Sequence, residues 1–328
     1  MADTKPADKK EEKKKKKESN PFRVWFTVAL ALGLVVFTLN GHFDAFENRW
    51  EDRMHLERGM RPGDPRIVLV ALDDRSISAI GTYPWPRRYY GPLIRNLKKA
   101  GAKVIGFDVL FLDPSRPEED AALIAATKEA GNVIHAVEID PDTPINVWRF
   151  TECFGSLKQA AAGVGVVNMV LLDPDGAVRQ APLMLSGVKN VFDPQIVLAD
   201  PDRHATLGVA VLSAYEGRTP ESYVQEMGPV VRLNICGQRD WDEKSNVVIN
   251  GEQLVVHKTD KGFKPISAID VIKDTLKDSD RARLKGSMVL IGSTAIGAFD
   301  HYPTPFAPQA PGMEVHANLN DNLLQRNY

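Results

Sequence analysis

Four aspartates follow or interrupt two short apolar runs in the first third of the chain, and they are the clearest candidates for chemistry. Asp73 and Asp74 come directly after the first run, while Asp108 and Asp113 lie within and just beyond the second. Grouped carboxylates can hold a hard divalent cation or accept hydrogen bonds from a ligand. They can equally cap a following helix or fix a turn. Both interpretations stay open at this point, and we predict no bound metal.

A loop near the first two aspartates carries an aromatic and a cationic group. Trp85 lies between Pro84 and Pro86, and Arg87 follows. A rigid loop that presents an indole and a guanidinium would suit an anionic or amphipathic small molecule. The alternative is structural, with Trp85 packed on the core and Arg87 paired with an aspartate.

Small polar residues near the end of the chain could complete the same crevice. Ser293 and Thr294 follow an apolar run, and His316 lies further on. No glycine-rich nucleotide-binding motif occurs, so we predict no cofactor. The predicted ligand-binding residues are Asp73, Asp74, Trp85, Arg87, Asp108, Ser293, Thr294 and His316, and no catalytic residue is predicted.

A β-α-β unit is predicted to position the aspartates and the loop. Apolar runs at 67–72 and 104–112 are typical of buried strands, and the segment between them begins a helix at Pro92 and ends it at Gly101. Strands connected in this way are normally parallel and covered by helices. The predicted fold class is therefore α/β, a mainly parallel sheet flanked by helices. Its ligand crevice would lie at the carboxyl ends of the strands.

The remaining elements follow from the same kinds of pattern. Residues 173–176 read Asp-Pro-Asp-Gly, a strong turn signal, so we predict that segments 164–172 and 177–185 pair as an antiparallel hairpin. Further helices are predicted at 117–130, 155–162, 206–215 and 314–324, and further strands at 132–139, 227–236, 245–256 and 288–291.

The first 43 residues have the pattern of a tail followed by a membrane anchor. Residues 1–21 contain eight lysines and five acidic residues, and we predict that they are a disordered basic tail. Residues 22–43 include an uncharged stretch of sixteen residues and are predicted to form one N-terminal transmembrane helix, with a cleaved signal peptide as the rival interpretation. The positive-inside rule would keep the tail cytoplasmic and place the rest outside.

Residues 44–64 are predicted to form a membrane-proximal helix and a linker. Phe43, Phe46, Trp50 and Met54 are spaced three and four apart, so they share one helical face. That face could pack on the domain or on a second copy of the chain. The external domain is predicted to cover residues 65–328.

Composition excludes few classes but limits the partners. The 328 residues carry a net charge of -2, and no basic surface dominates, so we predict no nucleic-acid partner. Cys153 and Cys236 are the two cysteines. An oxidising compartment would permit a disulfide between them, although buried thiols are the default interpretation.

Five blocks of the sequence, in order, resemble a CHASE2 domain. They read IVLVALDDRSISAIGTYPWPR, LIRNLKKAGAKVIGFDVLF, GVGVVNMVLLDPDGAVRQAPLM, KGSMVLIGSTAIGAFDHYPTPF and PGMEVHANLNDNLL, and they span roughly residues 65–324. The resemblance implies an extracytoplasmic sensory module of bacterial receptors. In that family the attached outputs include nucleotide cyclases, histidine kinases and serine/threonine kinases.

The resemblance and the residues together predict a sensor anchored in the bacterial inner membrane, with its main domain in the periplasm. We expect no enzymatic activity in this chain, and an output such as an adenylate cyclase or a histidine kinase, beyond residue 328 or on a separate protein. The expected partners are the lipid bilayer, a second copy in a homodimer, and an unidentified external ligand or protein. Two alternatives remain, a periplasmic metal-dependent hydrolase using Asp73, Asp74 and Asp108, and a structural subunit of an envelope complex.

Overall fold

A computed structural model describes most of the chain. The described residues are 21–39, 42–81, 83–140, 146–168, 171–173, 175–189, 191–237, 244–249, 252–257, 262–295 and 301–328. The predicted basic tail therefore lies outside them, apart from Pro21. Contacts between residues divide the chain into two compact units, residues 1–52 and residues 53–328.

Helices and strands alternate through much of the chain. The helices are α1 (Pro21–Leu39), α2 (His42–Arg58), α3 (Asp74–Ile80), α4 (Tyr90–Lys99), α5 (Pro117–Ala130), α6 (Gly155–Ala160), α7 (Pro194–Ala199), α8 (Leu207–Glu216), α9 (Pro220–Met227), α10 (Ala268–Ile272), α11 (Asp278–Leu284) and α12 (Gly312–Gln325). The strands are β1 (Ile67–Leu72), β2 (Val104–Asp108), β3 (Val133–Ile139), β4 (Phe150–Glu152), β5 (Gly163–Val166), β6 (Gln180–Pro182), β7 (Met184–Leu185), β8 (His204–Ala205), β9 (Val230–Arg232), β10 (Lys244–Ile249), β11 (Glu252–His257), β12 (Ile266–Ser267), β13 (Met288–Ser293), β14 (His301–Thr304) and β15 (Ala307–Pro311).

The N-terminal unit contains α1 and most of α2. Large apolar side chains are exposed along α1, among them Phe22, Trp25 and Leu30. The structure describes α1 from Pro21 to Leu39 and a further helix from His42. Residues 40 and 41, which fall within the predicted helix over 22–43, lie outside the described residues. No helix within the described residues has both the length and the apolar character of a membrane span.

A seven-stranded sheet forms the centre of the larger unit and confirms the predicted α/β class. Its strand order is β12-β1-β13-β2-β3-β4, and β5 also pairs with β3. All of these pairs are parallel except β3 with β4. The two strands of the predicted β-α-β unit, β1 and β2, are parallel but not adjacent. Strand β13, from near the C-terminal end of the sequence, lies between them.

Alternation along the central strands places apolar side chains on both faces of the sheet. Val68 and Val70 of β1 face a core with α4, α5 and α10, whereas Leu69 and Ala71 face a second core with α8 and α12. Because both faces are covered, these strands are apolar without interruption rather than alternating.

The hairpin predicted around residues 173–176 is wrong in its pairing. The turn forms, with the Gly176 amide donating to the Asp173 carbonyl at 2.7 Å. However, β5 pairs in parallel with β3, β6 pairs with β9, and β7 pairs with β8. A turn signal determines only the local chain reversal, and the strands on its two sides pair with partners elsewhere in the chain. The strand predicted at 245–256 is two strands, β10 and β11, which pair antiparallel.

Candidate functional site

Asp73 has a structural role at the carboxyl end of β1. Its carboxylate accepts a hydrogen bond from the Ser76 amide at 2.9 Å and another from the Ser76 hydroxyl, which makes it the N-cap of α3. It also accepts from the Ser267 hydroxyl at 2.9 Å, so it links α3 to β12. Asp74 lies in the first turn of α3 and is exposed. The capping interpretation of this pair is therefore the one that the contacts support for Asp73.

The sheet brings three other predicted residues to neighbouring strand ends. Ser293 stands opposite Leu72 in the β1–β13 register, and Gly292 stands opposite Asp108 in the β13–β2 register. Ser293 is buried, and its hydroxyl bonds the Leu72 carbonyl at 3.4 Å. The Thr294 amide donates to the same carbonyl at 3.4 Å. This edge therefore places the three residues on neighbouring strand ends, with the Ser293 hydroxyl and the Thr294 amide engaged with the Leu72 carbonyl of β1.

Trp85 and Arg87 take the structural alternative. Trp85 is only 4% exposed, and its ring centroid lies 5.8 Å from that of Tyr90. Arg87 forms an ion pair with Asp120 and donates to the Asp113 carbonyl at 2.5 Å. The Arg87 guanidinium also lies 4.8 Å from the centroid of the Phe154 ring. The loop is thus held between the core and α5.

His316 lies inside the second core rather than in an open crevice. Its Nδ1 atom accepts a hydrogen bond from the Gly208 amide at the start of α8, at 3.4 Å, and the residue is 2% exposed. Burial lowers the pKa of His316 to about 4, against a smaller opposing effect of a backbone hydrogen bond at Val167. At neutral pH the imidazole is uncharged, which suits a packing position between α8 and α12.

A buried ion pair connects the segment where the chain enters the larger unit to α12. Arg61 Nη2 lies 2.5 Å from Asp321 Oδ2, and the Asp321 side chain is wholly buried. The Asp64 amide donates to Asp321 Oδ1 at 2.7 Å. Asp64 also pairs with Arg66, at 2.6 Å, directly before β1. The negative charge of the Asp321 carboxylate is therefore balanced by groups in residues 61–64, which we call the entry segment, and not by its own helix alone.

Segment 234–236 also forms hydrogen bonds with α12 and with Arg61. Asn318 Oδ1 accepts from the Cys236 amide at 2.7 Å, and Asn322 Oδ1 accepts from the Asn234 amide at 2.6 Å. Arg61 Nη2 donates to the Asn234 carbonyl at 2.6 Å. We refer to Arg61, Asp64, segment 234–236, Asn318, Asp321 and Asn322 as the Asp321 network.

A cleft of about 580 Å³ lies beside the amino end of β5. Strands β7 and β8, helix α8 and the turn between α8 and α9 enclose it. Charged side chains of both signs line it, including Glu152, Arg203, Arg218 and Glu221. Its volume falls in the range that is common for small-molecule sites, about 300–1,000 Å³.

The described residues contain no group of three or more histidine, cysteine, aspartate or glutamate side chains placed to hold a metal ion. Both cysteines are free and buried. Burial raises the pKa of the Cys153 thiol to about 11 and raises that of Cys236 as well. These thiols match the default interpretation made from the sequence.

Neither the Asp321 network nor the cleft was predicted from the sequence. The polar run Asn-Leu-Asn-Asp-Asn at 318–322 was a usable signal, since polar residues on every side of a helix that contains apolar ones indicate buried hydrogen bonding. The cleft is lined partly by residues 203–221, which follow no motif, and its shape depends on strands that are only two residues long.

One comparison with known proteins found a match. The family model of the CHASE2 domain matches residues 27–328, essentially the whole chain. No curated protein and no solved structure matches it.

Proposed function

The chain belongs to the CHASE2 family, a sensory domain family of receptors that is extracytoplasmic, and from this premise we propose that it is the external input domain of a bacterial receptor. A sensor of this kind must connect a change in its folded domain to the segments that lead away from it. The feature that carries the proposal is the Asp321 network, because it joins the entry segment at residues 61–64 to α12.

In the mechanism we propose, the contact between the entry segment and α12 transmits the signal. Breaking a buried ion pair is costly, about 3–5 kcal/mol, so Arg61 and Asp321 move together or not at all. A ligand that binds one arrangement of the domain more tightly than another shifts the population toward it. The entry segment and α12 then change position as one body.

Membrane attachment through α1 is part of the proposal. Val24–Leu39 contains no charged residue, and the basic residues precede it. The nineteen residues of α1 would rise about 28 Å at 1.5 Å per residue, close to the hydrocarbon thickness of about 30 Å. The N-terminus would then be cytoplasmic, and residues 53–328 periplasmic.

A homodimer and a cytoplasmic output complete the proposal. Phe46, Trp50 and Met54 are exposed on α2 at intervals of four residues, and they offer an apolar stripe to a second copy. A shift between two dimer arrangements would reach an adenylate cyclase or a kinase, in the same protein or a separate one.

The test is a reporter fusion of the full chain. We would join it after Tyr328, through an added membrane span, to a cytoplasmic adenylate cyclase domain in a bacterium without its own cyclase. Cells would be exposed to sugars, amino acids, organic acids, nucleotides, divalent cations and pH 5.5–8. We expect at least one condition to change cyclic AMP at least fivefold. An active, correctly inserted fusion that responds to none of them would contradict the proposal.

Topology is tested with the same cells. Alkaline phosphatase, which is active only outside the cytoplasm, would be fused at an exposed position such as Glu216. We expect full activity there and none for a fusion before residue 21. Activity in the reverse order would overturn the proposed orientation.

A further inference from the structure

The cleft beside β5 combines groups that no part of the Asp321 network uses. Its polar wall contains Arg203 and Glu221, whose side chains pair at 3.1 Å. Arg218, in the turn before α9, lies 2.7 Å from Glu226. On the β4 side, Glu152 forms an ion pair with Lys158. All these pairs are partly exposed, so each can exchange its partner for a charged group of a ligand at little net cost.

Both signs of charge are maintained in the cleft. Burial raises the pKa of Glu152, but Lys158 and His204 lower it by more, so the carboxylate stays ionised at neutral pH. The side chain of Glu226 raises the pKa of Arg218, which stays a cation. A molecule that enters the cleft therefore meets fixed positive and negative groups at once.

Two polar atoms in the cleft have no hydrogen-bond partner among the described residues. The Ser213 hydroxyl, on α8, belongs to a residue that is 6% exposed. The Nδ1 atom of the half-buried His204 is itself covered and lies 4.0 Å from Asp202 Oδ1. His204 Nε2 is engaged with Glu152 Oε1 at 3.4 Å. Buried polar groups are almost always satisfied in folded proteins, so a polar group bound beside these two residues would supply the partners that they lack.

The other side of the cleft is apolar. Val164, Met184 and Ala210 line it, together with Ile134 and Ala205. A ligand that matches the whole cleft carries an anionic group, a cationic group and an apolar body. We infer that the cleft binds a free α-amino acid with an apolar side chain, whose carboxylate contacts Arg218 and whose ammonium group contacts Glu152.

The site would act on α12 through α8. Ser213 and Ala210 belong to the same helix as Gly208, whose amide bonds His316 of α12 at 3.4 Å. A ligand held on α8 can therefore bias the position of α12. This step rests on the proposed sensory function, whereas binding in the cleft does not.

Binding is tested with the full chain in detergent by calorimetric titration and thermal unfolding. The probes are L-leucine, L-methionine and L-valine, with leucinamide and 4-methylpentanoate as analogues that lack the carboxylate or the ammonium group. We expect at least one of the three amino acids to bind and to raise the melting temperature, and both analogues to bind at least tenfold more weakly. No binding of any amino acid, or equal binding of the analogues, overturns the inference.

Variants locate the site. Arg218→Gln and Glu152→Gln are each expected to weaken amino-acid binding about ten- to a hundredfold, and Ser213→Ala about three- to tenfold. Arg95→Gln is the matched control, because Arg95 forms a comparable exposed pair with Glu129 elsewhere on the domain. Unchanged affinity in folded Arg218→Gln and Glu152→Gln would place binding elsewhere and contradict the inference.

The two proposals fail separately. Amino-acid binding without any response of the cyclase fusion would retain the cleft assignment and refute the sensory function. A fusion that responds to another condition, with no amino-acid binding, would support the sensory function and refute the cleft assignment.

Discussion

The acidic residues that first suggested chemistry differ in what surrounds them. Asp73 accepts three hydrogen bonds from serine groups on two elements, while Asp74, next to it in the chain, is exposed. Their order in the sequence is compatible with a cap, a ligand site or a metal site. The partner Ser267 lies 194 residues away, so only the assembled sheet determines which role applies.

Replacing Asp73 with alanine is expected to destabilise the protein by about 1–2 kcal/mol, because α3 loses its N-cap and the Ser267 hydroxyl loses its acceptor. The measurement is chemical unfolding of the full chain, with Asp74→Ala as the matched control, expected within about 0.5 kcal/mol of the wild type. The hydrolase interpretation makes a different prediction, namely stoichiometric binding of a divalent cation that both variants lose. Observing that loss, with unchanged stability, would contradict the capping role.

The buried histidines predict how stability depends on pH. Burial lowers the pKa of His316 to about 4 and that of His135 to about 3, against an ordinary value of about 6.5 in the unfolded chain. Below pH 6.5 the unfolded state therefore binds more protons than the folded state, and stability falls as the pH falls. Each histidine should contribute about 1.4 kcal/mol per pH unit between pH 6 and pH 4.5.

His316→Asn tests this dependence, since asparagine keeps an acceptor for the Gly208 amide. We expect unfolding free energies measured from pH 7.5 to 4.5 to decline less steeply than in the wild type, by about 1.4 kcal/mol per unit below pH 6. Equal slopes for the two proteins would show that His316 protonates freely while folded.

At the scale of elements, the sequence was informative where the pattern was local. Helix α5 is bounded by Pro117 and Gly131 as predicted, and β10 and β11 lie within the predicted strand segment 245–256 apart from one residue at each end. The pairing of β5, β6 and β7 was not predictable, because these strands have two to four residues and find partners far away in sequence. Helix α9 was missed, because no element was predicted between the helix at 206–215 and the strand at 227–236.

The contact of α8 with α12 depends on a glycine. A Cβ atom at Gly208 would lie 3.0 Å from Asn320 Oδ1 and 3.1 Å from the His316 carbonyl oxygen. Gly208→Ala is expected to destabilise the protein by about 1–3 kcal/mol, because two packed helices must separate. Gly155→Ala is the control, since a Cβ there meets nothing within 4 Å, and it should be neutral or slightly stabilising. The measurement is thermal unfolding of both variants. Equal melting temperatures would contradict the close approach of α8 to α12.

At the scale of the molecule, the fold class could be predicted, but the functional connections could not. Strand order follows from long-range pairing, as the position of β13 between β1 and β2 illustrates. The Asp321 network joins residues separated by 257 positions between Asp64 and Asp321. Hydrophobic periodicity carries no information about which buried polar side chains meet, so sequence patterns identify the helix and not its partners.

The central claim is that the entry segment and α12 move together and that their position determines the output of the receptor. The most direct measurement is the cyclase output of the fusion for the wild type, Asp321→Asn, and the apolar double variant Arg61→Met with Asp321→Leu. The double variant removes both charges and leaves no buried charge unpaired, so it is expected to stay folded. The Asp64 amide loses its acceptor, at a cost of about 1–3 kcal/mol. Expression and unfolding of each variant would be measured in parallel, and Arg95→Gln is the control.

We predict that both folded variants change basal cyclic AMP at least fivefold and lose most of any response to added compounds, while Arg95→Gln behaves as the wild type. Folded variants with unchanged output and an unchanged response would contradict the claim, because the contact between the entry segment and α12 would then have no part in transmitting the signal.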